Sequence, residues 1–307
     1  MSTAPPDGFD ATTVLLWVAR RTGALEALMT SAGTAEEVAA ETTLTDRAAR
    51  VLVGGLADAG IVERVDGTYE PTNRALGFLA RRDLRSIGGR PHELDLLDRF
   101  LELPAAMRSG EVPGEPEGWT RNRLGTAAAT DEATVRAIVT AAVREAPASA
   151  RVLDVGGAPG HLAREFVARG HDVTVLDDGD AIEACQALLS PEPIDLLSGD
   201  PVEELPADFD LVFAAGMAHL LGPDANRDLV ANAREALVDG GRLVLVDALR
   251  GDSPLAPAAA LEALATSERG EVYDAPTVRT WLDDAGFERI DARTIPGTDL
   301  RAVVGRA

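Results

Sequence analysis

Over the first 150 positions of this 307-residue chain, apolar residues recur every three or four places. That is the rhythm of helices burying one face. It predicts helices over Ala11–Arg21 and Ala24–Thr30. Thr34-Ala-Glu-Glu37 has capping-box spacing and opens a third helix. A fourth runs from Thr45 to Ala59, with Gly60 as a left-handed stop. The β-prone runs on either side of Asp66-Gly67 then predict a hairpin. A few short helices followed by a hairpin is the winged-helix pattern, and it fills residues 1–89. Residues 90–147 read as connecting helices. His92–Leu103 is one, which Pro104 should end or kink. Pro113–Trp119 is a loop, and Thr130–Glu145 is a helix with an apolar stripe at Val135, Ile138, Val139, Ala142 and Val143.

In residues 148–307 the rhythm changes to short apolar runs alternating with helical segments, the signature of a parallel α/β sheet. Strands are predicted at Arg151–Val155, Asp172–Asp177, Ile194–Leu197, Leu211–Ala214, Arg242–Asp247, Arg289–Thr294 and Asp299–Val304. The last two are joined by a short loop at Pro296-Gly297, which permits only an antiparallel pair, so the sheet should end with one reversed strand.

Composition narrows the partners. Apolar residues make up 46% of the chain, enough for a core, and aromatics only 4%, so that core must be aliphatic. Acids outnumber bases 51 to 29, a net charge of −22. Such a chain repels nucleic acid and anionic membranes alike. The candidate recognition helix has Arg47 and Arg50 but also Asp46 and Asp58, so the winged helix is expected to serve in homodimerisation rather than DNA binding. All 29 basic residues are arginine, which favours adaptation to concentrated salt over a simple solubility device as the reason for the acidity. The single cysteine, Cys185, excludes an intrachain disulfide and a multi-cysteine zinc site, and no metal is expected. The opening MSTAPPDGFD has no leader pattern, and no apolar run approaches the ~20 residues of a membrane span. A cytoplasmic protein is expected.

The strongest motif is VLDVGGAPGHLAREF, Val152–Phe166, a strand running through glycines into a helix. Glycines tighten such a turn and let a ligand approach the backbone, and the helix start offers free amides. The dinucleotide fingerprint G-x-G-x-x-G does not fit. Here the order is Asp154-x-Gly156-Gly157-Ala158-x-Gly160, with an acid two places before the first glycine. That acid suits a ligand with a positive amino-acid end. Asp177 ends the next strand, 21 residues after Gly156, where a carboxylate can take both hydroxyls of a ribose. Asp178 is its neighbouring rival. Asp200, in Gly199-Asp200 after the third strand, is placed to reach an adenine amino group. Three acids at successive strand ends, in step with the glycine turn, point to an S-adenosylmethionine site.

On these residues the chain resembles the class I S-adenosylmethionine-dependent methyltransferases. More narrowly it resembles the small-molecule O-methyltransferases of the caffeate and hydroxyindole type. The stretches VLDVGGAPG, VTVLDDGDAIE, LLSGDPVEELP, the run from Asp210 to Ala248 and the late WLDDAGF carry the likeness. The resemblance implies a Rossmann-like seven-stranded sheet preceded by a winged-helix dimerisation domain. It implies a small-molecule acceptor, with His219 as general base, Asp247 orienting it, and Glu271 close to the place of a second acid. The sequence departs from the family at His219-Leu220-Leu221, where His-Asp-Trp is common, at Ala215 and at Pro201. Methylation at carbon or nitrogen, or a non-catalytic cofactor-binding regulator, therefore stand as alternatives to a hydroxyl acceptor.

Overall fold

The computed structural model describes residues 10–79, 84–144 and 146–307. The stretch read for a leader lies, but for Asp10, outside the described residues, as does Glu145 at the end of the predicted Thr130 helix. The chain divides into two compact units, Met1–Asp98 and Arg99–Ala307. The division falls within a helix, Arg90–Ser109, so the stretch read as a connector is shared between them.

In the first unit, helices Ala11–Arg21, Ala24–Thr30, Ala35–Glu41 and Asp46–Asp58 precede the hairpin β1 (Val62–Val65) and β2 (Thr68–Pro71). Thr34 and Glu37 form the reciprocal capping box. Asp66 and Gly67 both have positive φ, 49° and 96°, as a tight hairpin turn with the right-handed strand twist requires. Leu16, Val38, Val53 and Leu56 have no exposed surface and form an aliphatic core. Arg20 bonds Asp95 and Asp98, each at 2.6 Å, on helix Arg90–Ser109. Of the two outcomes expected at Pro104, an end or a kink, the helix does not end there. A proline removes one backbone hydrogen bond, and the helix formers on either side of it, Leu101 to Leu103 and Ala105 to Met107, carry the helix through.

The second unit has helices Trp119–Ala128 and Glu132–Val143 and then a seven-stranded sheet. Its strands are β3 (Arg151–Val155), β4 (Asp172–Asp177), β5 (Ile194–Ser198), β6 (Phe209–Ala215), β7 (Leu237–Asp247), β8 (Glu288–Thr294) and β9 (Arg301–Arg306). Their order is β5-β4-β3-β6-β7-β9-β8. Only β9 runs against the rest. It is the last strand in the chain but not the edge of the sheet, because the short loop after β8 folds it back into the slot beside β7. The sheet core is aliphatic around an edge-to-face pair, Phe166 and Phe213, with centroids 5.3 Å apart. The order reverses beside β3, and ligands of such sheets bind there, at the carboxyl ends of the strands.

Candidate active site

At that end, β3 runs into the glycine turn. Gly156 has φ 69° and Gly160 φ 81°, and Gly160 begins helix His161–Ala168. Any side chain at Gly157 would collide with Asp154, whose Cγ would lie 2.5 Å from the added carbon. The turn thus lies directly on Asp154. This carboxyl is 1% exposed, and its Oδ2 has no hydrogen-bond partner among the described residues. Burial, reinforced by the nearby charge of Asp177, pushes its pKa up to about 8.

Asp177 and Asp178 are adjacent and do different work. Asp177 closes β4 and is buried. Its carboxylate accepts from the amides of Ala158 at 3.0 Å and Asp178 at 2.9 Å, tying the glycine turn to β4. Burial raises its pKa, while Arg123 and the two amides draw it down. Asp178 caps helix Gly179–Leu189 by accepting from Ala181 at 2.8 Å and lies 3.8 Å from Arg123. Asp200 is exposed and closes its own turn onto the Val202 amide at 2.8 Å.

A cavity of about 440 Å³ collects these groups; Gly156, Asp177, Asp178, Ser198, Gly199, Asp200, Met217 and Leu221 line it. Asp154 is not on its wall but beneath the glycine turn. A second hollow of about 440 Å³, by Arg279, Asp283 and Arg289, has no comparable glycine turn.

Met217 and Leu221 flank the turn Ala218–Leu220 after β6, which presents His219. Parallel pairing puts Ala215 beside Val246, so the next residue of β7, Asp247, meets this turn. His219 Nδ1 lies 2.9 and 3.1 Å from the two Asp247 oxygens. The amides of His219 and Ala248 also donate to that carboxylate, at 3.2 and 2.7 Å. An acceptor-only partner on Nδ1 fixes the proton there and leaves Nε2 as the basic nitrogen. Both residues are buried, and Nε2 has no hydrogen-bond partner.

Burial disfavours the His219 cation, but the hydrogen bond to Asp247 and the nearby Glu262 carboxylate outweigh it and raise the pKa to about 10. Glu262 was not foreseen in the sequence. Its Oε2 lies 3.7 Å from Nε2, and it is the only ionisable residue of helix Ala256–Thr266, a lone charge that could have flagged it. Glu271, expected near the second acid, is exposed, and Glu262 takes the place beside His219. Helix Ala256–Thr266 turns inward where Glu271's loop turns out.

The turn itself is pinned by residues that sequence reasoning also missed. Asn226 is fully buried and donates to the carbonyls of Ala218, Leu221 and Gly222 at 2.9 to 3.2 Å. Tyr273 bonds the Leu221 carbonyl at 2.8 Å and Ser267 the Leu220 carbonyl at 2.7 Å. These bonds go to backbone carbonyls, which have no signature in sequence. Among the described residues no group of side chains could hold a metal ion, and no helix is long and apolar enough to cross a membrane.

Comparison with known proteins adds the context. Residues 128–292 match the family model described as a methyltransferase domain. The chain is 26% identical over 282 residues to the tetracenomycin polyketide synthesis 8-O-methyl transferase of Streptomyces glaucescens, covering 84% of this chain and 82% of that one. It is 24% identical over 311 residues to the 3-hydroxy-5-methyl-1-naphthoate 3-O-methyltransferase of Streptomyces sahachiroi, covering 91% and 86%. Among solved structures, human N-acetylserotonin methyltransferase in complex with S-adenosylmethionine shares the fold, with a TM-score of 0.69 at 20% identity over 100% of this chain and 99% of that one.

Proposed function

From the premise that this chain belongs to the methyltransferase-domain family, we propose that it moves a methyl group from S-adenosylmethionine to a hydroxyl of a small aromatic molecule, with His219 as general base. The observation that carries the reading is the His219–Asp247 pair at 2.9 Å, on a turn whose neighbours Met217 and Leu221 line the acid-rimmed cavity. Both long-matching relatives named above are O-methyltransferases, one of them acting on a hydroxynaphthoate.

The residues of the cavity fit the donor. Asp177 would take the ribose hydroxyls, Asp200 the adenine, and the amides of the glycine turn the carboxylate of the amino-acid end. Asp154 lies beneath the turn, and Asp178 caps the next helix. Bound there, S-adenosylmethionine supplies an electrophilic methyl carbon. His219 Nε2 would take the proton of the acceptor hydroxyl, leaving its oxygen to receive the methyl while the donor's S–CH3 bond breaks and S-adenosylhomocysteine leaves. Asp247 stabilises the imidazolium that results.

The test is product identity. Incubation with S-adenosylmethionine and a panel of hydroxyarenes should give products whose new methyl is on oxygen by NMR. A methyl on nitrogen or carbon, or donor binding with no turnover across the panel, would overturn the reading.

We propose also that two copies pair through residues 1–110, where the helical unit opposes DNA binding by its charge and where Leu101 and Met107 are exposed, 58% and 64%. Sedimentation should give a dimer in molar salt and dissociation or unfolding in dilute buffer. A monomer in molar salt would contradict the pairing, and a stable dimer in dilute buffer the salt adaptation.

A further inference from the structure

We propose that Asp154 senses the charge of whatever fills the donor cavity. It gives up its proton when the cationic donor binds and keeps it over the neutral product, so the protein holds donor in preference to product. This rests on the reading that S-adenosylmethionine occupies the cavity, and it holds whatever the acceptor.

S-adenosylmethionine and S-adenosylhomocysteine share adenine, ribose and the amino-acid end. They differ by one methyl group and by the positive charge which that methyl puts on sulfur. Polar contacts to the shared parts hold both molecules alike, so discrimination needs a group that responds to the sulfonium.

Asp154 is built to respond. It is 1% exposed, and its Oδ2 has no hydrogen-bond partner among the described residues. A side-chain carbon added at Gly157 would lie 2.6 Å from that oxygen, and Gly156, the neighbouring residue of the same turn, lines the cavity. The turn therefore touches the carboxyl at one residue and the cavity at the next. A carboxylate buried without a partner is costly, so with the cavity empty the proton stays on, and the pKa of about 8 agrees. A positive charge across the turn favours the carboxylate, whereas a neutral sulfur does not. At this depth a unit charge changes such an equilibrium about tenfold or more.

The ionisable groups around Asp154 do not share this role. It pairs with Val175 on β4 and Phe213 on β6. Asp177, at the end of β4, is the charge that acts on it, but Asp177 would meet the ribose of donor and product alike. Arg123 and Asp178 act on Asp177. The one ionisable residue of β6, Asp210, accepts from the Arg151 amide at the far end of β3. On helix His161–Ala168, burial and Arg164 lower the pKa of His161 to about 4 and keep it neutral. Arg164 and Glu165 pair with Glu192 and Arg169. On helix Gly179–Leu189, burial pushes the Cys185 thiol up to about 11.

Titration calorimetry in two buffers of different ionisation enthalpy counts the protons released on binding. At pH 7 the wild type should release up to about one proton more with S-adenosylmethionine than with S-adenosylhomocysteine. The ratio of the two affinities should move about tenfold towards the donor between pH 6 and pH 8. Asp154→Asn should lose both effects while still binding both molecules. Infrared difference spectra of the wild type give a second readout: the C=O band of a protonated carboxyl should vanish with S-adenosylmethionine and persist with S-adenosylhomocysteine. Equal proton release, a constant ratio in the wild type, the same shift in Asp154→Asn, or a band that responds alike to both molecules would each overturn the proposal and leave the donor site standing. No binding of either molecule would overturn the donor site and the proposal with it.

Discussion

Replacing His219 by alanine lowers kcat by about 10²–10⁴-fold, the usual worth of a positioned general base, with donor affinity unchanged. The separation follows from geometry. Met217 and Leu221 reach the donor cavity, whereas His219 points to Asp247 and Glu262. Calorimetry with S-adenosylmethionine checks the binding and single-turnover kinetics check the chemistry. A variant that loses both would make His219 a structural residue, and one that loses neither would return the chain to the regulator reading. The pH profile carries the same assignment. Burial disfavours charge on this ring, yet the hydrogen bond to Asp247 and the charge of nearby Glu262 raise its pKa from 6.5 to about 10. A base must be neutral to work, so kcat/KM of the wild type should rise with pH from neutrality towards that value and be flat in the alanine variant. Stability moves the other way. A raised folded pKa means that the contribution of the imidazolium is fully present below pH 6.5 and is lost as pH rises to about 10.

Asp177→Ala should weaken S-adenosylmethionine binding by about 10²–10³-fold, since a carboxylate taking two hydroxyls makes two charge-assisted hydrogen bonds. The same change frees the amides of Ala158 and Asp178, so the glycine turn loosens and the loss falls on donor binding before chemistry. Unchanged affinity by calorimetry would remove Asp177 from the site. Asp154→Asn is the contrast. With its pKa pushed up to about 8, folded Asp154 keeps a proton that the unfolded chain releases above its ordinary 3.8. Stability of the ligand-free wild type therefore falls as pH rises between those values. The asparagine variant has no such slope, so its advantage in Tm should grow from pH 4 to pH 8. A constant difference across that range would mean that Asp154 is ionised in the fold.

Reading from sequence reached far where the signal is local. The capping box at Thr34, the Asp66-Gly67 turn and the strands from Arg151 onward depend on neighbours within a few residues; all are found, although β7 starts five residues earlier than predicted, at Leu237, and β9 lies two residues later, at Arg301–Arg306. It left two outcomes open where a local rule met a competing one, as at Pro104, where helix formers on both sides carry the helix past the breaker. It also could not place β9, because strand order depends on which slot beside β7 is open.

The site divides along the same line. That Asp154, Gly156, Gly160, Asp177 and Asp200 gather at the carboxyl ends of the strands was legible because a parallel sheet delivers every strand end to one edge, so spacing along the chain becomes position in space. His219 and Asp247 were legible as strand-end residues too, and the sheet register is what brings them to 2.9 Å. Asn226, Tyr273 and Ser267 bind backbone carbonyls, and a carbonyl looks the same after every residue. Glu262 and Glu271 are the sharpest case. Both are acids late in an acid-rich chain of net charge −22, Glu262 alone on its helix and Glu271 between Glu268 and Asp274, and that contrast does not say which one faces His219. Sequence by itself determined the sheet, the glycine turn and the acids at its strand ends, since those follow from periodicity and chain direction. Only the tertiary structure decided which carboxylate faces the second nitrogen of His219, because that depends on how helix Ala256–Thr266 packs, and packing joins residues that the chain holds far apart.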